Sequence, residues 1–127
     1  MILAAFICRY AQVFYGAKMT PEAIKNEVEV YRERLSSGIH RAGEQMQGFT
    51  DAFFAHPTEI TPFMEKAGFE TQALIGCEGI IFMVEEKIQS LPDDLFQTWA
   101  DLNYQLGKDP CLHSSAIHLL YVGKKLM

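Results

Sequence analysis

Ser114 to Lys125 reads SSAIHLLYVGKK, and within it Ala116 to Gly123 is an almost unbroken apolar run. Two serines lead in and a glycine with two lysines closes it. β-Branched Ile117 and Val122 and aromatic Tyr121 lie inside, so the stretch predicts a strand rather than a helix. A strand apolar on both faces belongs in the middle of a sheet, with a strand on each side and helices above and below. Its neighbours are upstream. ILAAFIC, Ile2 to Cys8, is apolar throughout and is followed by Arg9 and Tyr10; FETQALIGC, Phe69 to Cys77, alternates and ends where Gly76 and Gly79 bracket Cys77 and Glu78. Both lengths suit strands.

Helical signals fill the gaps. Residues Tyr10 to Met19 are aromatic and small, with a turn expected at Gly16, and Thr20-Pro21-Glu22 then announces a helix to about Ser36 with Ile24, Val28, Tyr31 and Leu35 on one side. Gly38 to Gly48 carries three glycines and little periodicity, and reads as a loop or broken helix able to move over a site. His56-Pro57 opens a helix with Ile60, Phe63, Met64 and Ala67 on one side and Gly68 past its end; Pro62 inside it predicts a bend or an irregular first turn. Ile80 to Gln89 is helical, and Pro92-Asp93-Asp94 starts a further helix through Phe96, Trp99, Leu102 and Leu106 to Gly107. With no repeat, low-complexity tract or linker, residues 1–127 form one domain.

Composition narrows the classes. The chain has 127 residues, 49% of them hydrophobic and 21% charged, enough for one packed core. A net charge of −5 and a pI near 5.3 provide no basic footprint for nucleic acid or an anionic membrane. Cys8, Cys77 and Cys111 are odd in number and lack paired spacing, which suits free thiols in a cytoplasmic setting. The apolar run at the N-terminus is too short to span a bilayer and lacks a signal-peptide pattern. Strand-like sequence begins at Met1 itself, so the start is expected to be a cut through a larger fold.

If the first and third strands are parallel and the last runs antiparallel between them, their ends share one rim, where open α/β sheets place ligands. Arg9, Tyr10, Cys77, Glu78, Ser114 and Ser115 gather there. His56, at a helix start, is assigned by simple counting to the opposite rim. Each group has a structural alternative: Glu78 is a general base or a turn residue, and the phenylalanines at 49 to 54 are core or a substrate wall. His118, within an apolar strand, is first a hydrogen-bonded core histidine and second a site residue. Cys8 and Cys77 read as small buried hydrophobes. Cys111-Leu112-His113 with His118 matches no zinc spacing, so no metal site is expected.

The order of these segments resembles the C-terminal half of class I S-adenosylmethionine-dependent methyltransferases, in the small-molecule group of ubiquinone-biosynthesis type. AAFICRYA at 4 to 11 is similar to the fifth strand and the turn after it, and HPTEITPFMEKAGFE at 56 to 70 to the helix leading into strand six. LIGCEG at 74 to 79 and SSAIHLLYVGKK at 114 to 125 are similar to the end of strand six and to strand seven. The resemblance implies a partial Rossmann-like α/β fold: a three-stranded mixed sheet of order 5-7-6 with the last strand central and antiparallel. It implies methyl transfer from S-adenosylmethionine to a small-molecule acceptor, with Glu78 or His56 taking a proton and Arg9, Tyr10, Phe53, Phe54 and His118 binding the acceptor. The nine glycines make no G-x-G pattern, so no cofactor-binding residue carries over and the chain alone is expected to be inactive. It is then a fragment or a truncated product. Without a strand beside it, Ile2 to Cys8 is an exposed apolar edge, which predicts a homodimer through that edge or by segment exchange. Two other readings stand beside the methyltransferase: a non-enzymatic dimerisation or ligand-binding module derived from such a domain, and a metal-dependent hydrolase, which rests only on the presence of histidines and carboxylates.

Overall fold

A computed structural model describes residues 1–42 and 50–127. Three strands, β1 (Ile2–Ile7), β4 (Phe69–Gly76) and β5 (His118–Lys125), form one sheet in the order β1-β5-β4. The last strand is central and antiparallel to both neighbours, with Ile7 opposite His118 and Gly76 opposite Leu119. The sheet is therefore wholly antiparallel by pairing and not mixed, because β1 and β4 never touch as a ladder. The order β1-β5-β4 differs from the expected labelling 5-7-6.

The central strand is shorter at its start than the apolar run suggests. Pro110–Ser115 winds into 3-10 turns instead, because local hydrogen bonds compete with the ladder: Asp109 accepts from the Cys111 N–H at 2.9 Å and Ser115 donates to the Leu112 carbonyl at 2.7 Å. Burial along β5 also differs from expectation. Leu119, Tyr121 and Gly123 are buried, while His118, Leu120 and Val122 are only partly so. The buried face meets α3 (Pro57–Lys66), whose Ile60 and Met64 join Leu119 and Tyr121 in the core. Phe63 meets Phe6 edge-on at 6.4 Å. The other face is less covered: on β1, Leu3 is 63% exposed.

α3 runs unbroken over Pro62. Its start is strongly held, since the His56 ring accepts from Thr58 N while Glu59 accepts from His56 N at 3.0 Å, a reciprocal cap. Because a crossover helix runs opposite to its strands, that start lies at the carboxyl end of β1. The chain fixes it there: Ala55 donates to the Ile7 carbonyl and accepts from Arg9 N, both at 2.9 Å. The assignment of His56 to the opposite rim is thus corrected. The same bridge covers the last part of the outer edge of β1.

Residues 10 to 19 are not a turn region. Ala11–Met19 forms a helix, α1, with Gly16 inside it, and after 3-10 turns at Pro21–Ala23 the chain continues as α2 (Ile24–Ser37). α2 ends at Gly38 in the left-handed conformation, φ 75°. Two minimal strands, β2 (Ile39–His40) and β3 (Ala52–Phe53), pair antiparallel. The expected mobile loop from Gly38 to Gly48 falls largely outside the described residues, as does Phe49. Gly79–Val84 is 3-10 rather than α-helical, leading into the short α4 (Glu85–Gln89), and α5 (Asp93–Gly107) matches its expected bounds closely. Among the described residues no helix is long and apolar enough to cross a membrane.

Candidate functional site

β5 begins at the rim where β1 and β4 end, and its first residue carries the site. Glu78 leaves β4 through Cys77 and turns back onto His118: one carboxylate oxygen accepts from the His118 backbone N–H at 2.9 Å and the other lies 2.6 Å from Nδ1. Two contacts from one carboxylate fix both the strand start and the ring. With Nδ1–H donating to Glu78, the tautomer that follows leaves Nε2 as an acceptor, the orientation used when a histidine takes a proton. His118 is not a core residue. Its side chain is 46% exposed, and it lines a cavity of about 370 Å³.

α1 forms one wall of that cavity through Gln12 and Tyr15, and α2 contributes Tyr31; Ile7, Ile117, Phe54 and His40 complete much of the rest. Close approach of the two helices depends on Gly16, where a Cβ would stand 2.3 Å from the Tyr31 hydroxyl. That hydroxyl donates to Glu27 at 2.6 Å. Burial, reinforced by this carboxylate, pushes the Tyr31 phenol from 10.0 up to about 12. The neutral phenol is thus favoured by folding, so its contribution is complete below pH 10 and is lost as pH rises towards 12. Urea midpoints measured at pH 9 and pH 11.5 should fall further for the wild type than for Tyr31→Phe; equal falls would dismiss this coupling.

Behind Gln12 stands Arg34, which donates to the Gln12 side-chain oxygen Oε1. Arg34 is only 4% exposed, and burial lowers its pKa from the free value. His40, also buried, packs against Phe54 with ring centroids 6.0 Å apart. Tyr15 stacks on Phe82 at 5.7 Å, and Lys18 crosses to the Phe82 carbonyl and Glu85 at 2.7 and 2.6 Å, which ties α1 to the segment after Glu78.

The sequence-level site splits in two. Glu78, His118 and Phe54 come to the cavity region; Phe54 is 5% exposed and is one of its walls. Arg9 is occupied elsewhere, donating to the Phe54 carbonyl at 2.8 Å and to Glu59 at 3.0 Å, with its guanidinium 5.5 Å from the Phe53 ring. Tyr10 meets the His56 ring at 5.8 Å, and the Nδ1 of His56 serves as the helix cap. Arg9, Tyr10, Phe53 and His56 are not among the described residues that line the cavity; they make the contacts just given. The Glu78 carboxylate faces the histidine. Ser114 and Ser115 belong to the 3-10 turns.

Gln12 and Tyr31 carried no sequence signal for this place, whereas His40 lies in the Gly38 to Gly48 segment expected to move over a site. Tyr31 at helical spacing reads as a core face, and only tertiary packing brings it against Gly16. Cys8 is fully buried, as expected, whereas Cys77 is exposed. Both thiols have raised pKa values, through burial first and, at Cys77, the Glu78 charge second, which disfavours the reactive thiolate. No group of three or more His, Cys, Asp or Glu suited to a metal occurs among the described residues. Comparison of the sequence with family models and curated proteins, and of the fold with solved structures, finds no match.

Proposed function

We propose that this chain is the acceptor-binding portion of a methyltransferase acting on a small molecule. The observation that carries the reading is the cavity with the Glu78-oriented His118 at its margin; the order of the RYA, AGFE, CEG and SAIHLLYVGKK segments directs it to methyl transfer. Two tasks fall to these residues. The walls hold and orient the acceptor, and His118 Nε2 receives its proton while Glu78 stabilises the imidazolium that results.

S-adenosylmethionine does not fit the groups present. It carries a ribose diol, an ammonium and a carboxylate, and none of the described residues lining the cavity is Asp, Glu, Lys or Arg. The chain also has no G-x-G loop. In this reading the cofactor is held by other polypeptide, and no methyl-transfer step is assigned to the residues here.

The test is a pair of calorimetric titrations into the 127-residue chain, one with S-adenosylmethionine and one with a panel of small aromatic, alcohol, amine and acid compounds. The expected result is no saturable cofactor binding, with at least one panel member bound and weakened about fivefold by Phe54→Leu through loss of ring contact. Saturable cofactor binding at one site per chain would overturn the division of labour. A chain that binds no panel member would remove the acceptor site.

A second reading, a dimerisation module, is favoured by a different observation. The outer edge of β4 is blunted by Glu70, Gln72 and a bulge between Thr71 and Ala73, whereas Ile2 to Phe6 on β1 carries no charge, proline or bulge. Pairing of two copies through that edge gives a dimer mass by equilibrium sedimentation at micromolar concentration, and a single monomeric species would rule it out.

A further inference from the structure

A second cleft, of about 230 Å³, opens between the 3-10 segment Gly79–Val84, α4 and α5. It lies apart from the cavity at His118, since the Tyr15–Phe82 stack gives one ring to each. We infer that this cleft binds a small organic cation, an alkylated ammonium, over the aromatic rings of α5. The inference goes beyond the acceptor reading and does not rest on it.

The walls combine ring surface with negative charge. Phe96 and Trp99, neighbours at i, i+3 on α5, both line the cleft while 41% and 43% exposed, so much of each ring is open to a ligand. Ile81 and Ile88 add aliphatic surface. Glu78 and Glu85 line it too, and none of the described lining residues is lysine, arginine or histidine. The same charge extends beyond the walls: α4 and α5 also carry Glu86, Asp93, Asp94 and Asp101, against Lys87 alone. An anion is repelled there. A neutral apolar ligand gains only the rings. A cation gains both, because ring faces and carboxylates attract the same charge, and tryptophan is the strongest of the ring partners.

The polar groups decide which kind of cation. Glu78 has both oxygens on His118, and Glu85 has one on Lys18, whose ammonium also lies 4.3 Å from the Phe82 ring centroid. The carboxylates thus offer their field more than open acceptor positions, and Phe82 already has its cation. Asn103 donates its amide to the Cys77 carbonyl at 2.7 Å, which leaves its side-chain oxygen and the Gln89 amide as the neutral polar groups of the wall. A primary ammonium would leave water with three N–H donors to satisfy. An alkylated ammonium presents methyl groups instead, which rest on Phe96, Trp99 and the isoleucines, and a hydroxyl beside it suits the two amides.

Trp99 is the only tryptophan of the chain, so its fluorescence reports on the cleft directly. Three probes of similar size are titrated into the whole chain: choline, its uncharged carbon isostere 3,3-dimethylbutan-1-ol, and ethanolamine. Choline should change the Trp99 emission saturably and bind about tenfold more tightly than the isostere, the scale of a partly desolvated cation on aromatic rings. Ethanolamine should bind more weakly than choline. Phe96→Leu keeps the reporter and should weaken choline about threefold, with unchanged emission of the free variant showing that it is folded. Equal affinities for choline and the alcohol would overturn the cation assignment, and tighter binding of ethanolamine would overturn the alkylated one. Choline binding detected by calorimetry without any change at Trp99 would overturn the placement, and absence of saturable choline binding would overturn the site.

Discussion

Gly107→Ala is expected to lower the unfolding free energy by about 3 kcal/mol, the upper range for forcing an extra carbon into a packed contact. Gly107 is the last residue of α5 and sits against the end of β4, where a Cβ would stand 2.1 Å from the Gly76 carbonyl oxygen. Backbone cannot rotate aside as a side chain does, so the helix must lift. An opposing effect exists: alanine is better than glycine in a helix by about 1 kcal/mol. The clash wins because it is with main chain that is itself pinned in a strand. Lifting α5 also strains two bonds at the rim, Asn103 to the Cys77 carbonyl at 2.7 Å and His113 to the Gly107 carbonyl at 3.1 Å. Urea unfolding gives the measurement, and a variant as stable as the parent would show that α5 is not seated by this contact.

Glu59→Ala should cost about 2 kcal/mol. Glu59 performs two tasks, capping α3 through His56 N and pairing with the Arg9 guanidinium. A cap residue is worth about 1 kcal/mol. The ion pair on the carboxylate side is half exposed and screened, which limits its own worth, but the Arg9 side chain is 9% exposed and would lose its charged partner among the described residues. The cost therefore comes mainly from the stranded arginine. Arg9→Met together with Glu59→Ala should destabilise by less than the sum of the two single changes, and strict additivity in the double-mutant cycle would contradict the coupling.

The sheet and α5 were legible because their signals are local. A closed apolar run with polar ends, or Pro92 followed by helical periodicity to Gly107, needs no distant contact to be read. α1 was missed for the opposite reason. AQVFYGAKM has no capping side chain and carries a glycine, and its helix is favoured by packing of Gly16 on Tyr31, which lies in the next helix. β2 and β3 have two residues each, too short for any alternation to register. Pro62 does not interrupt α3, which is held by its cap at His56 and by its buried face.

The site was half legible on similar grounds. Glu78 and His118 each stood out as polar groups near a strand end, yet their bond spans forty positions of sequence, so nothing local indicated which one faces the cavity. Arg9 illustrates the reverse case. A charged residue ending an apolar strand invites a ligand-binding role, and a carbonyl and a carboxylate from the next crossover occupy it instead.

The position of β5 has a bearing on how the chain acquires its structure. The strand that both others require is made after them, so β1 and β4 have no ladder to join until β5 is synthesised. Every strand pairing in the main sheet is then a late one, closing loops that reach from residue 7 to residue 118, and such topologies fold slowly for entropic reasons. During that interval Ile2 to Ile7 is an apolar segment in want of a partner, the condition under which nascent chains associate wrongly. The burial of β1 is thus decided by β5, the latest made of the three strands.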